Sequence, residues 1–181
     1  MVVIIKSAVQ QLLKEVTSRR MIHKEIKQIL NFTEYSKWDL GVFFVGDKEI
    51  KELNLRYRNI NKATDVLSFP LHQAIMPGKL PNPLTPEHKN LGDMIISVPY
   101  VMRWCKQHDE IVEKRLPVLY THGICHLIGY DHENEDDFEK MNKKEREILD
   151  KFLEWKKRGG DCNGSDCNES ESEESDDDGE L

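Results

Sequence analysis

The chain has 181 residues, 26 basic and 33 acidic, for a formal charge of −7, and this length supports one domain with a real hydrophobic core. Ten of the acids fall in Gly159 to Leu181, so residues 1 to 158 carry 26 − 23 = +3; the acidic balance does not exclude a polyanionic partner, and +3 alone does not select one. Four scattered cysteines, Cys105, Cys125, Cys162 and Cys167, make no disulfide framework, and no run approaches the roughly 18 apolar residues of a membrane span, so a soluble, intracellular protein is expected.

In chain order, Val2 to Ile5 is a β-branched run suited to a strand. Met1 to Arg20 carries Lys6, Lys14, Arg19 and Arg20 against a single acid, Glu15, a composition that also resembles a mitochondrial import segment. Ile22, Ile26, Ile29 and Leu30 recur at helical spacing, and Leu40 to Val45 forms a buried strand. Asp47 is a candidate N-cap for a helix to about Tyr57, with Ile50, Leu53 and Tyr57 on its buried side. After the polar turn Asn59 to Asp65, Val66 to Phe69 is a strand stopped by Pro70.

Pro77, Pro81, Pro83 and Pro86 exclude regular structure from most of the loop His72 to Asn90, which is either a lid or a simple excursion. Leu91 to Ser97 is a further strand, and Pro99 fits the first turn of the next helix. Asp109 is a candidate cap, and Pro117 marks a kink or a fresh helix start, the latter giving a helix over about Leu116 to Ile128. Phe138, Met141, Ile148, Leu149, Phe152 and Leu153 make the apolar stripe of a final helix to about Trp155. The order predicts one α+β domain over residues 1–158, a mixed sheet of about four strands with helices packed on it, followed by a disordered acidic tail at 159–181 in which Ser170, Ser172 and Ser175 are phosphorylation candidates.

Three of the seven histidines lie in Thr121 to His132. On a helix, His122 and His126 project from one face, and Gly129 allows a left-handed turn that returns His132 as a third ligand. Three imidazoles around one zinc leave an open position for water, whose pKa falls to about 7. The plainer alternatives are ordinary half-buried histidines or a closed structural zinc; Cys125 points about 100° away from His126 and cannot close it, while Asp131 either closes the sphere or orients an imidazole. The spacing is that of the peptidase signature H-E-x-x-H-x-x-G-x-x-H with Gly123 in place of the glutamate that acts as general base. Peptide hydrolysis is disfavoured, and an anionic or activated substrate such as a phosphodiester is favoured. Arg56 and Arg58 are candidates to bind its oxygens.

The segment Leu53-Asn54-Leu55-Arg56-Tyr57-Arg58, the run Thr64-Asp65-Val66-Leu67-Ser68-Phe69-Pro70, Leu91-Gly92-Asp93 and His122 to His132 together resemble the YbeY family of endoribonucleases, or rRNA maturation factors. The resemblance spans roughly residues 1 to 155 and departs from the family at Ala63 before Thr64 and in the acidic tail. It implies a zincin-like core, one zinc ion at His122, His126 and His132 and a functional, catalytic arginine at Arg58; Arg56 and Lys62 are further candidates for substrate contact. It also implies cleavage of structured or single-stranded RNA in ribosomal RNA processing and ribosome quality control, with the ribosome or its small subunit as partner and no membrane. The tail and the proline-rich loop are closer to a eukaryotic member, which implies mitochondria, with cytoplasm or nucleus as alternatives. The competing function is a non-catalytic ribosome-assembly or RNA-binding factor with a structural zinc.

Overall fold

The computed structural model describes residues 1–85 and 88–159; Pro86 of the proline-rich loop and the acidic tail apart from Gly159, with Ser170, Ser172 and Ser175, lie outside the described residues. Four strands form one mixed sheet in the order β1-β2-β4-β3. β1 (Val2–Ile5) and β4 (Asn90–Ser97) run parallel to β2 (Asp39–Val45), and β3 (Val66–Pro70) pairs antiparallel with β4.

Side chains alternate across these strands as period-2 geometry requires. Leu40, Val42 and Phe44 of β2, Met94 and Ile96 of β4 and Val66 of β3 face the main core. Val45 and Leu67 face a smaller cluster on the other side with Ile50 of α3 (Asp47–Arg58). The main core is completed by α1 (Ser7–Lys14), α2 (Arg19–Asn31), α4 (Val98–Gln107), α5 (Val112–Leu127) and α6 (Glu135–Lys157).

Most expected elements are present, and the differences have local causes. Residues 7–14, expected only as part of a basic leader, form α1, whose Val9 and Leu13 are buried one turn apart; eight residues are too few to show a periodicity above the surrounding charge. Asp47 opens α3 but Gly46 is its N-cap. The Asp47 carboxylate instead accepts the Ser97 hydroxyl at 2.7 Å and pairs with Arg103 at 2.6 Å, tying α3 to the end of β4 and to α4. Tyr57, expected to be buried, is 61 % exposed: α3 overhangs the sheet edge, and the ring lies edge-on to Phe69 of β3.

Asp109 has φ +52° and caps nothing; α5 begins at Val112 and runs through Pro117 as one helix. Proline leaves only the Glu113 carbonyl without its helical donor, and Glu113 is exposed where water can serve it. On α6, Met141, Ile148 and Phe152 are buried, whereas Phe138 and Leu153 flank the stripe and are exposed. Glu25 of α2 is buried and meets Lys156 of α6 at 2.6 Å, an ion pair that no apolar pattern announces.

Candidate metal centre

α5 carries the paired histidines across the inner face of the sheet. Its last turn closes with Gly129 N–H on the His126 carbonyl and Tyr130 N–H on the Cys125 carbonyl, both at 3.0 Å, with Gly129 at φ +90°. This left-handed C-terminal motif reverses the chain. His132 thereby comes back over the helix end, and the ligand nitrogens of His122, His126 and His132 all lie within 4.8 Å of one another.

The rings are oriented from behind. His122 Nδ1 donates to Glu145 Oε1 of α6 at 2.7 Å, and His126 Nδ1 donates to the Tyr130 carbonyl at 3.1 Å. Since a carboxylate and a carbonyl only accept, each neutral ring keeps its proton on Nδ1 and presents a bare Nε2. The two Nε2 atoms are 3.2 Å apart. With both rings neutral, neither can donate to the other, so two lone pairs face each other at a separation that a shared cation makes favourable. A tetrahedral zinc with Zn–N of about 2.0–2.1 Å spaces its nitrogens by about 3.3 Å. The residues therefore fit a divalent ion, with exposed His132 on its open side.

Burial, followed by the charges of His122 and His132, pushes the His126 pKa down to about 4, which keeps that donor neutral through the physiological range. Asp131 stands 3.8 Å from His126 Nδ1 and accepts the His132 amide at 2.8 Å, shaping the turn. Cys125 is fully buried in the main core and its thiol is pushed far up by that burial.

Gly123 explains the missing glutamate physically. A Cβ there would run into the Met94 sulfur and lie 3.2 Å from the Ser68 hydroxyl, so α5 rests against β3 and β4 where a peptidase side chain would begin. Ser68 Oγ is buried and has no hydrogen-bond partner among the described residues.

His126 and His132, though not His122, line a cleft of about 900 Å³ whose walls also include Arg58, Ser68, His72 and Tyr130. Arg58, at the C-terminal end of α3, thus shares this cleft with the cage, although 64 residues separate it from His122. Arg56 and Lys62 are exposed and do not line it; Lys62 instead offers its carbonyl to Asn54 Nδ2 at 2.8 Å. The start of the proline-rich loop, His72 to Ala74, forms the facing wall, and the loop is fastened just beyond it. Gly78 N–H donates to the Ile128 carbonyl at 3.0 Å, and Tyr35 Oη donates to the Gly78 carbonyl and accepts the Leu80 amide. Asp65 holds the other wall, accepting the Val66 amide at 2.9 Å and pairing with Arg115 of α5 at 3.4 Å. Glu145 and Tyr130 had no sequence signal of their own, the first being 23 residues from its histidine and the second acting through its carbonyl.

Fold and site together define an α+β protein with a cluster of three imidazoles, able to hold a cation, at the edge of a cleft. Residues 5–153 match the family model described as Endoribonuclease YbeY. The chain is 37 % identical over 134 residues to human Endoribonuclease YbeY, covering 74 % of this chain and 80 % of that protein. It is 36 % identical over 149 residues to Endoribonuclease YbeY of Limosilactobacillus reuteri (strain DSM 20016), covering 75 % and 92 %. The solution structure of TM1509 from Thermotoga maritima aligns with a TM-score of 0.50 and 25 % identity over 93 % of this chain and 98 % of that one. The chain belongs to the YbeY family.

Proposed function

We propose that this protein is a metal-dependent endoribonuclease that cuts single-stranded RNA, using one zinc ion held by His122, His126 and His132. The observation that carries the reading is the pair of Nε2 atoms facing each other at 3.2 Å, one of them on His126, which lines the same cleft as Arg58. Membership of a family whose relatives are named endoribonucleases supplies the substrate class. His122, His126 and His132 would hold the zinc ion, which when bound would supply Lewis acidity toward a phosphate oxygen and lower the pKa of water to about 7.

The chain's own residues do the rest. Glu145 and the Tyr130 carbonyl hold two rings in the donor tautomer. Arg58 binds non-bridging phosphate oxygens through its planar fork and offsets the charge that builds on them in the transition state. Its exposed, cleft-lining position supports that role, whereas Arg56 and Lys62 contact RNA only beyond the cleft. The wall at Gly123, Met94 and Ser68 leaves no carboxylate at the peptidase position, which favours a scissile group already activated toward attack. The biological substrate in this reading is ribosomal RNA, met during processing or quality control on the ribosome, in mitochondria. Import leaves residues 1–20 in place, because β1 and α1 are built from them.

Metal analysis of the purified protein, paired with end-mapping of products from a structured ribosomal RNA fragment, tests the reading. His122→Ala is expected to lose bound metal and cleavage together. Cleavage that survives in the metal-free variant would overturn it, and metal content near one zinc per chain without any cleavage by the parent would favour an assembly factor.

A further inference from the structure

A second groove, of about 410 Å³, lies beside the cleft, between Met76 and Pro77 of the loop and the Lys140, Lys143 and Lys144 side of α6. Tyr130 lines both cavities, so the two share a wall. Its charge differs from the cleft mouth, where Asp131 and Glu133 stand near the histidines: three ammonium groups face one carboxylate, Glu147.

The lysines are available to an incoming anion. Lys143 is exposed and makes no ion pair among the described residues, while Lys140 and Lys144 make only one-turn pairs along the helix, with Asp137 at 3.0 Å and Glu147 at 3.1 Å. Such pairs contribute little in water and exchange readily for phosphate. Glu147 also holds Lys151 at 2.7 Å, so it keeps a partner when Lys144 turns away. The remaining lining, the Tyr130 ring and the exposed Met76 side chain, is the flat apolar surface that unstacked bases favour.

We propose that this groove carries the single-stranded RNA flanking the cut site, with its phosphates on Lys140, Lys143 and Lys144 and a base against Tyr130. The inference rests on the nuclease reading above and adds a subsite to it. The arrangement selects an unpaired strand: one wall is aromatic, and a duplex has no free base faces to offer it.

The test is fluorescence anisotropy of the full chain in EDTA, with a single-stranded RNA of twelve nucleotides and one of three, across a range of KCl concentrations. Replacing all three lysines by Gln is expected to weaken binding of the longer RNA at least tenfold at low salt. The slope of log affinity against log salt should become shallower by about two, since each single-strand phosphate contact contributes about 0.7. The trinucleotide, too short to leave the cleft, should bind as before. Lys143→Glu alone should reproduce the direction, which guards against a triple variant that fails to fold. An unchanged salt slope for the longer RNA, or an equal loss for both lengths, overturns the groove. If the parent cuts ribosomal RNA normally in that case, only the subsite falls; a parent that neither binds nor cuts RNA removes the nuclease reading and the subsite with it.

Discussion

Glu145 does for His122 what no residue near it in sequence can do, fixing the proton on Nδ1 across 2.7 Å from another helix. Removing a carboxylate of this kind costs about 10- to 100-fold in metal affinity. Glu145→Ala should therefore raise the zinc dissociation constant by that factor in chelator competition while the far-ultraviolet spectrum stays unchanged. His126 gives a pH signature. Its pKa of about 4 in the fold lies below the ordinary histidine value, so between about pH 6.5 and 4 the unfolded chain binds a proton that the folded one refuses, and stability rises with pH across that window. The melting temperature of metal-free protein should fall on acidification from 6.5 to 4, and less steeply in His126→Asn; equal pH slopes would mean that the burial of this ring costs nothing. At this scale the three histidines and Gly129 were legible because their spacing is short and local, whereas Glu145 and the orphaned Ser68 hydroxyl were invisible because their partners arrive through the fold.

Among the elements, the loop from His72 to Asn90 changes meaning most. Its prolines excluded regular structure, and nothing in its sequence distinguished a lid from an excursion. The structure fastens its middle to the end of the histidine helix through Gly78, Ile128 and Tyr35, with Ala74 packed where a Gly129 side chain would stand. Tyr35→Phe deletes both hydroxyl bonds and leaves the buried Leu80 amide without an acceptor. The expected loss is about 1–3 kcal/mol in chemical denaturation, with faster hydrogen exchange at Leu80 than elsewhere in the fold; uniform exchange would show that the loop is held by other contacts. The strands and α2 were legible from β-branched runs and from the Ile22, Ile26 and Ile29 spacing. Pro117 misled because a proline near a helix start costs only one exposed carbonyl, and sequence does not say which carbonyl that is.

For the molecule as a whole, the sheet order β1-β2-β4-β3 was beyond the sequence, since parallel partners here come from stretches more than thirty residues apart. The N-terminal segment shows the consequence. Composition offered a leader, yet Val3, Val9 and Leu13 are buried in the core and β1 covers the edge of β2. Burying each such side chain contributes about 1.5–3 kcal/mol, against a total stability of about 5–15 kcal/mol for a domain. Deletion of residues 1–17 should abolish cooperative thermal unfolding, and a truncated chain that melts sharply near the parent temperature would show this edge to be dispensable. The charge of the body, +3 outside the tail, was too small to point anywhere; its meaning comes from the three lysines gathered on one side of α6.

A glutamate at position 123 would meet the Met94 thioether before it reached the cleft, so it enters only where that side chain moves aside. Trimming Met94 makes room for it but leaves a cavity beneath the histidines. A carboxylate base at this position and a tightly packed seam between α5 and β4 therefore compete for the same space.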